Sequence, residues 1–385
     1  MFSFPVKHLS AQPADSTKIT LSPESGFYIE SVDGFMGFKV STRLQQQFGM
    51  LVPLSEKDAL QSEIAIRRAR IRIHGFFYEK KLTYFLQLQM DRGNLLLSNA
   101  EFRWKATDNL QLNFGQLWPV AGRQFRTTSD VFQMIDRSPV ARFFSPGYDI
   151  GANAQYNFNF GGEGLIKSYL SITHGEGMNK ASAAGGFAYA SRVELLPLGD
   201  FIQNGDYTES DIHREQSPKL SVAAALYYNQ DAYSVIGNEA TSANWDGIND
   251  DIASLYVDAL FKYDGFSLLA EYADRTVDNE ILQVNNGPAT YSFISGGNGF
   301  TAQAGKFISE KLEPTVRMSI LNPTNELQEA RGKFTQQNTY TLGLNHFLRG
   351  HSIKLQLEMN LVNEQFLNSE DHTYFQLLSQ FSVSF

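Results

Sequence analysis

The sequence predicts an all-β protein: a closed antiparallel transmembrane β-barrel of about 16 strands, with short periplasmic turns and long outer loops. Three observations carry this. Apolar and polar residues alternate with period two from end to end. Short and long connections alternate along the chain. The longest unbroken apolar run, Val222–Tyr228, falls far short of the roughly 20 residues that a membrane-spanning helix needs.

Taken in order, the first long segment places Met36, Phe38, Val40, Leu44 and Phe48 on one face, with Lys39, Ser41, Arg43, Gln45 and Gln47 on the other. Leu82, Tyr84, Leu86, Leu88 and Met90 then oppose Thr83, Gln87, Gln89 and Asp91. Ile150, Ala152, Ala154, Tyr156 and Phe158 oppose Gly151, Asn153, Gln155 and Asn157, and Ile353, Leu355, Leu357 and Met359 oppose Lys354, Gln356 and Glu358. Successive side chains of a strand point to opposite faces, so each segment has one greasy and one polar face. Such segments begin near residues 35, 64, 82, 99, 110, 148, 165, 187, 219, 252, 266, 299, 311, 338, 352 and 373. Lipid tolerates no open sheet edge, so these strands must close on themselves.

Short turns are expected at Glu79–Lys81, Ala106–Asn109, Gly161–Gly164, Asp264–Gly265, Ser309–Lys311 and Arg349–Gly350. Long outer loops are expected at about residues 49–62, 92–98, 118–147, 174–186, 230–250, 276–298, 322–337 and 363–372. Pro197–Pro218 breaks the rule, being long on the periplasmic side. The barrel occupies residues 31–385, and residues 1–30 form a flexible or periplasmic N-terminal segment. Met1–Gln12, with one lysine and no apolar stretch, does not read as a complete export signal. The last strand ends on Phe385, which shares its outward face with Phe375, Leu377, Phe381 and Val383.

Composition narrows the function. The 385 residues carry a net charge of −9, which argues against a nucleic-acid binder. Charged residues make up 19%, below the roughly 25% of soluble proteins, and aromatics 13%. The absence of cysteine excludes disulfides, thiolate metal sites and cysteine nucleophiles. His74 and His174 stand without ligand partners at zinc spacing, and Asp246, Asn249, Asp250 and Asp251 miss the calcium-loop pattern. No cofactor, metal or catalytic residue is expected.

Several stretches then carry a resemblance: EIAIRRARIR at Glu63–Arg72, NAEFRW at Asn99–Trp104, NFGQLWP at Asn113–Pro119, DRSPVARFFSPGYDIG at Asp136–Gly151 and YASRVELLPLG at Tyr189–Gly199. Together they resemble the phosphate-selective porin O and P family over about residues 30–385. The resemblance implies a 16-stranded outer-membrane porin, trimeric, with an arginine ladder along its pore and a third loop folded into the lumen. The acidic net charge departs from an anion-binding pattern, and no family lysine cluster aligns onto this chain.

Arg68, Arg70 and Arg72 lie at i, i+2 and i+4, so all three share a face. An Arg at the lipid midplane costs about 2–4 kcal/mol, which makes that face luminal. Guanidiniums spaced along a strand offer successive weak, forked anion sites; the bland alternative is that they pair with luminal Asp or Glu. Lys39 and Arg43 on the preceding strand would widen the patch. Arg103 and Lys105 share their face with Glu101, Arg192 with Glu194, and Arg317 with Glu313, so these sites favour charge pairing. The loop 118–147 is the constriction candidate: it holds Arg123, Arg126, Arg137 and Arg142 against Asp130 and Asp136, with Pro146 and Gly147 as its hinge.

These readings give a passive water-filled channel of the bacterial outer membrane, in contact with the lipid bilayer, preferring small anions such as phosphate. The alternatives are a structural barrel subunit with a heterologous envelope partner, favoured by the long periplasmic segment, and a soluble carbohydrate-binding β protein.

Overall fold

The structure, a computed structural model, describes residues 17–22, 26–54, 60–118, 120–180, 186–232, 250–278, 281–284, 290–293, 296–324 and 333–385. Sixteen strands make the barrel. They are β3 (Met36–Pro53), β4 (Gln61–Phe77), β5 (Glu79–Asp91), β6 (Asn94–Lys105), β7 (Leu110–Leu117), β8 (Asp149–Phe160), β9 (Gly164–Thr173) and β10 (Ala188–Leu196). After them come β11 (Lys219–Ala232), β12 (Asp250–Tyr263), β13 (Phe266–Val277), β16 (Gly297–Lys306), β17 (Leu312–Pro323), β18 (Gln336–Arg349), β19 (Ile353–Gln365) and β20 (His372–Ser384). Every neighbour is antiparallel, and β20 closes the sheet on β3 from Tyr374↔Pro53 to Ser384↔Arg43.

The first hairpin, β1 (Thr17–Ser22) and β2 (Gly26–Ser31), joins the same edge of β3 just below β20, pairing Phe27↔Val40 through Glu30↔Gly37. A second hairpin, β14 (Ile281–Val284) with β15 (Thr290–Phe293), lies between β13 and β16. The N-terminal residues 1–16 and the acidic-loop residues Asp246 and Asn249 fall outside the described residues.

The period-two pattern sets the faces: Leu355 is 39% exposed on the outside, while Gln356 beside it is 1% exposed inside. One register shift matters for function. Pairing of β3 with β4 passes from Gln45↔Arg68 to Gln46↔Ile66, so Arg67 is a bulge residue. A bulge inserts one extra residue and flips the phase of the strand beyond it. Above it Ile64 and Ile66 face outward; below it Ala69, Ile71 and Ile73 do.

The expected outer loop at 92–98 is a two-residue turn instead. Arg92 and Gly93 adopt φ +52° and +85°, the left-handed pair of a type I′ hairpin, and Leu95–Leu97 already belong to β6.

The apolar core lies inside the barrel. Val120, Ala121, Val140 and Phe144 of the segment after β7 pack against Tyr169, Ala188, Ala190, Ala225, Tyr227, Tyr256 and Ala273 of the wall. Short alanine side chains at these inward positions make room for the segment. Gly122 lies so close to Glu271 that a Cβ there would meet its carboxylate at 2.9 Å.

Candidate functional site

The loop 118–147 enters the lumen and is fixed to both sides of it. Its helices α1 (Arg123–Arg126) and α2 (Pro139–Phe143) are single turns. Ser138 caps the second by accepting from Ala141 N at 3.0 Å. Arg123, 1% exposed, donates to Asp258 Oδ1 of β12, Ser221 Oγ of β11 and the Asp206 carbonyl, each at 2.7 Å. Arg192 of β10 completes the cluster, reaching Glu194 at 2.6 Å, Asp258 Oδ2 at 2.7 Å and the Ala121 carbonyl at 3.0 Å. Arg126 donates to Tyr207 OH at 3.0 Å and stacks over Tyr169 at 4.2 Å. Arg137 spends its donors on the carbonyls of Gln124, Phe125 and Thr127. Arg123 and Arg192 therefore anchor the loop: for Arg192 this includes the charge pairing with Glu194 that the strand pattern favoured, and for Arg123 it departs from the expected place along an anion path. Their donors are consumed where water is excluded.

The ladder is present, and it is paired. Arg43 lies 2.5 Å from Asp130, and Arg72 lies 3.1 Å from the same carboxylate. Arg68 and Arg67 converge on Asp136 at 2.6 and 3.2 Å, and Arg70 meets Asp91 at 3.2 Å. Of the two readings of the ladder, the structure has the paired one: Asp130 and Asp136 of the inward loop and Asp91 at the end of β5 face the guanidiniums. Burial by itself would raise the Asp130 and Asp136 carboxyls. Arg43 and Arg72 around the one, and Arg68 and Arg67 around the other, hold both below the ordinary carboxylate range. Five arginines face three aspartates here, leaving a local excess of positive charge.

Of the remaining candidates, Lys39 is half-buried opposite His74 near the periplasmic end. Arg103 pairs with Glu101 at 2.5 Å. Lys105 pairs with Asp108 at 3.1 Å, exposed in the periplasmic turn. Arg317 does not pair with Glu313; it donates to the Asp136 carbonyl at 2.8 Å. Four residues along a strand span roughly 13 Å, and the inward loop occupies the space between. Glu313 instead accepts from Gln133 and Ser210, each at 2.8 Å. Arg142 is exposed toward the outer cavity.

Sequence reasoning missed the inward course of residues 197–218. This connection folds up into the barrel and meets the loop from below: Glu209 accepts from Gln133 N at 2.7 Å and Gln124 Nε2 at 3.0 Å. Asp206 pairs with Lys167 at 2.7 Å, and Lys262 donates to the Gly205 and Ser210 carbonyls at 2.7 and 2.9 Å. The crowding of Asp200, Asp206, Glu209, Asp211 and Glu215 within sixteen positions was the available signal.

The lumen is consequently lopsided. Inward residues of β11–β19 such as Ser221, Asp258, Gln303, Thr341 and Gln356 are buried under the two segments. Arg72, Gln111, Asn153, Gln155 and Asn157, on β4, β7 and β8, keep partial exposure. At the outer end lies a cavity of about 820 Å³, lined by six basic and three acidic side chains.

A family model for the phosphate-selective porins O and P matches residues 38–375. The chain belongs to the phosphate-selective porin O and P family. The fold of this porin is shared with solved structures of low sequence identity. One is the outer membrane channel DcaP of Acinetobacter baumannii, with a TM-score of 0.57, 10% identity and coverage of 92% of this chain and 99% of that one. Another is an anion-selective porin from Comamonas acidovorans, at 0.56, 11%, 90% and 99%. A third is OmpT of Vibrio cholerae in its trimer form, at 0.52, 11%, 90% and 99%. No curated protein matches the chain significantly. The protein is an outer-membrane porin channel of bacteria.

Proposed function

We propose that this porin is a passive, water-filled channel that prefers anions, carrying phosphate and related oxyanions, and that it assembles as a homotrimer. The observation that carries the reading is the cluster of Arg43, Arg67, Arg68, Arg70 and Arg72 against Asp91, Asp130 and Asp136 at the edge of the half-exposed lumen. At physiological salt the Debye length is about 8 Å, so acidic groups in outer loops are screened from the lumen. Charges within a narrow, partly desolvated passage act at short range and outweigh the net −9. Paired arginines still suit transport, because conduction requires sites weak enough to release the ion. The trimer reading takes support from the trimeric form of the Vibrio cholerae relative.

The alternative of a structural envelope subunit loses its motive, since the connection 197–218 turns inward rather than outward. The hairpin β1–β2, running below the rim along β3, supports a periplasmic placement of the N-terminal segment. Reversal potentials across a salt gradient test the proposal. Anion preference that falls when Arg68, Arg70 and Arg72 are replaced together by Gln supports it, and a cation-selective wild type refutes it.

A further inference from the structure

The outer cavity has a wall that a small oxyanion does not require. Lumen-facing positions of these strands are otherwise mostly polar, yet Leu51, Leu321, Val362 and Leu378 occupy inward positions around it. Phe143 and Phe334 extend the apolar surface. Leu321 and Val362 are themselves buried and form the base of this wall, while Leu51, Leu378, Phe143 and Phe334 are half-buried and keep apolar surface toward the cavity, a cost that a ligand with an apolar body relieves.

Arg67, Arg142 and Arg317 border the same cavity. Arg317 is 6% exposed, and its Nε–H has no hydrogen-bond partner among the described residues, although Nη1 is satisfied by the Asp136 carbonyl. A buried donor left unmade calls for an acceptor. The volume of about 820 Å³ lies within the roughly 300–1,000 Å³ typical of sites for drug-sized organic molecules. An inorganic phosphate, with five heavy atoms, leaves most of it empty.

We infer that the outer cavity is a binding site for amphipathic organic anions: a carboxylate head held by the arginine forks, and an aromatic or branched aliphatic body laid against Leu51, Leu378, Phe143 and Phe334. The planar guanidinium matches a carboxylate bidentately, which fixes the head while the body supplies the discrimination. This inference rests on the anion-channel reading and names a cargo class for it.

The test is block of chloride current through the purified porin in planar bilayers, comparing 3-phenylpropionate, acetate and phosphate at equal ionic strength. Phenylpropionate should reach half-block at a concentration about tenfold or more below that of acetate, because only it covers the apolar wall. Leu378→Asn and Leu51→Asn, both nearly isosteric, should each narrow that gap, and Arg317→Gln should weaken block by both carboxylates. The wild-type comparison needs no variant, so a folding failure of any mutant leaves it decisive. An anion-selective wild type blocked alike by phenylpropionate and acetate overturns the inference alone. So does a gap that persists undiminished in folded L378N and L51N, since the apolar residues then merely pack outer loops. A cation-selective wild type overturns the anion-channel reading and the inference with it.

Discussion

Arg68 and Asp136, separated by 68 positions in the sequence, are joined at 2.6 Å between the wall strand β4 and the inward loop. This contact makes the ladder and the constriction one electrostatic unit, in which each acidic group of the loop sets how much positive charge an ion meets.

Replacing Asp136 by Asn should therefore raise the anion-to-cation permeability ratio, read as a shift in reversal potential. It should also destabilise the barrel, because Arg68 is 4% exposed and loses its counter-ion. Breaking a fully buried pair costs about 3–5 kcal/mol. Asp136 keeps 20% exposure, so the cost here lies below that range. An unchanged reversal potential in folded D136N would separate the loop from selectivity.

Asp258 holds two buried guanidiniums, those of Arg123 and Arg192, each at 2.7 Å. Asp258→Asn should cost about 3–5 kcal/mol and lower the temperature of the heat-induced gel shift clearly more than D136N does. Equal stability in the two variants would mean that the anchor is not where the loop is held.

The outside positions Ala154 and Leu355 should reject Arg, at about 2–4 kcal/mol for a site near the lipid midplane, and heat-modifiable mobility reports the loss of folded barrel. Asn153, half-exposed in the lumen, should accept it. The face rule alone extends that tolerance to Gln356, but Gln356 is 1% exposed and bonded to Asn345 and Gln380, so Arg there should also impair folding. A well-folded Q356R would show that the loop yields.

Phe385 closes the seam: its carbonyl accepts from Thr42 N at 2.6 Å, and its N–H donates to the Thr42 carbonyl at 3.1 Å. Deleting it should lower the yield of folded barrel in cells. Outer-membrane levels equal to the parent would remove the residue from assembly.

The depressed carboxyls of Asp130 and Asp136 set a pH dependence. Groups whose native pKa lies below the unfolded value of about 3.9 contribute stability that is complete above that value and lost as pH falls through the native one. The stability difference between the parent and D136N, read as the heat-induced gel shift, should stay constant from pH 7 to 5 and shrink only in stronger acid. A difference that already shrinks between pH 7 and 5 would contradict this.

The period-two alternation was enough to give the barrel, its strand count and its inside and outside, because lipid and lumen impose opposite chemistry on successive side chains. The bulge at Arg67 was not read, although Ile64 and Ile66 sit out of phase with Ile71 and Ile73. What sequence alone could not settle is which luminal charges stay open. Arg43, Arg68 and Arg72 look alike from their strands, and their fate depends on aspartates brought across the lumen by a loop many positions away. The alternation rule constrains each strand locally. Pair formation depends on where two inward segments, one from either side of the membrane, come to rest, and only the closed barrel fixes that distance.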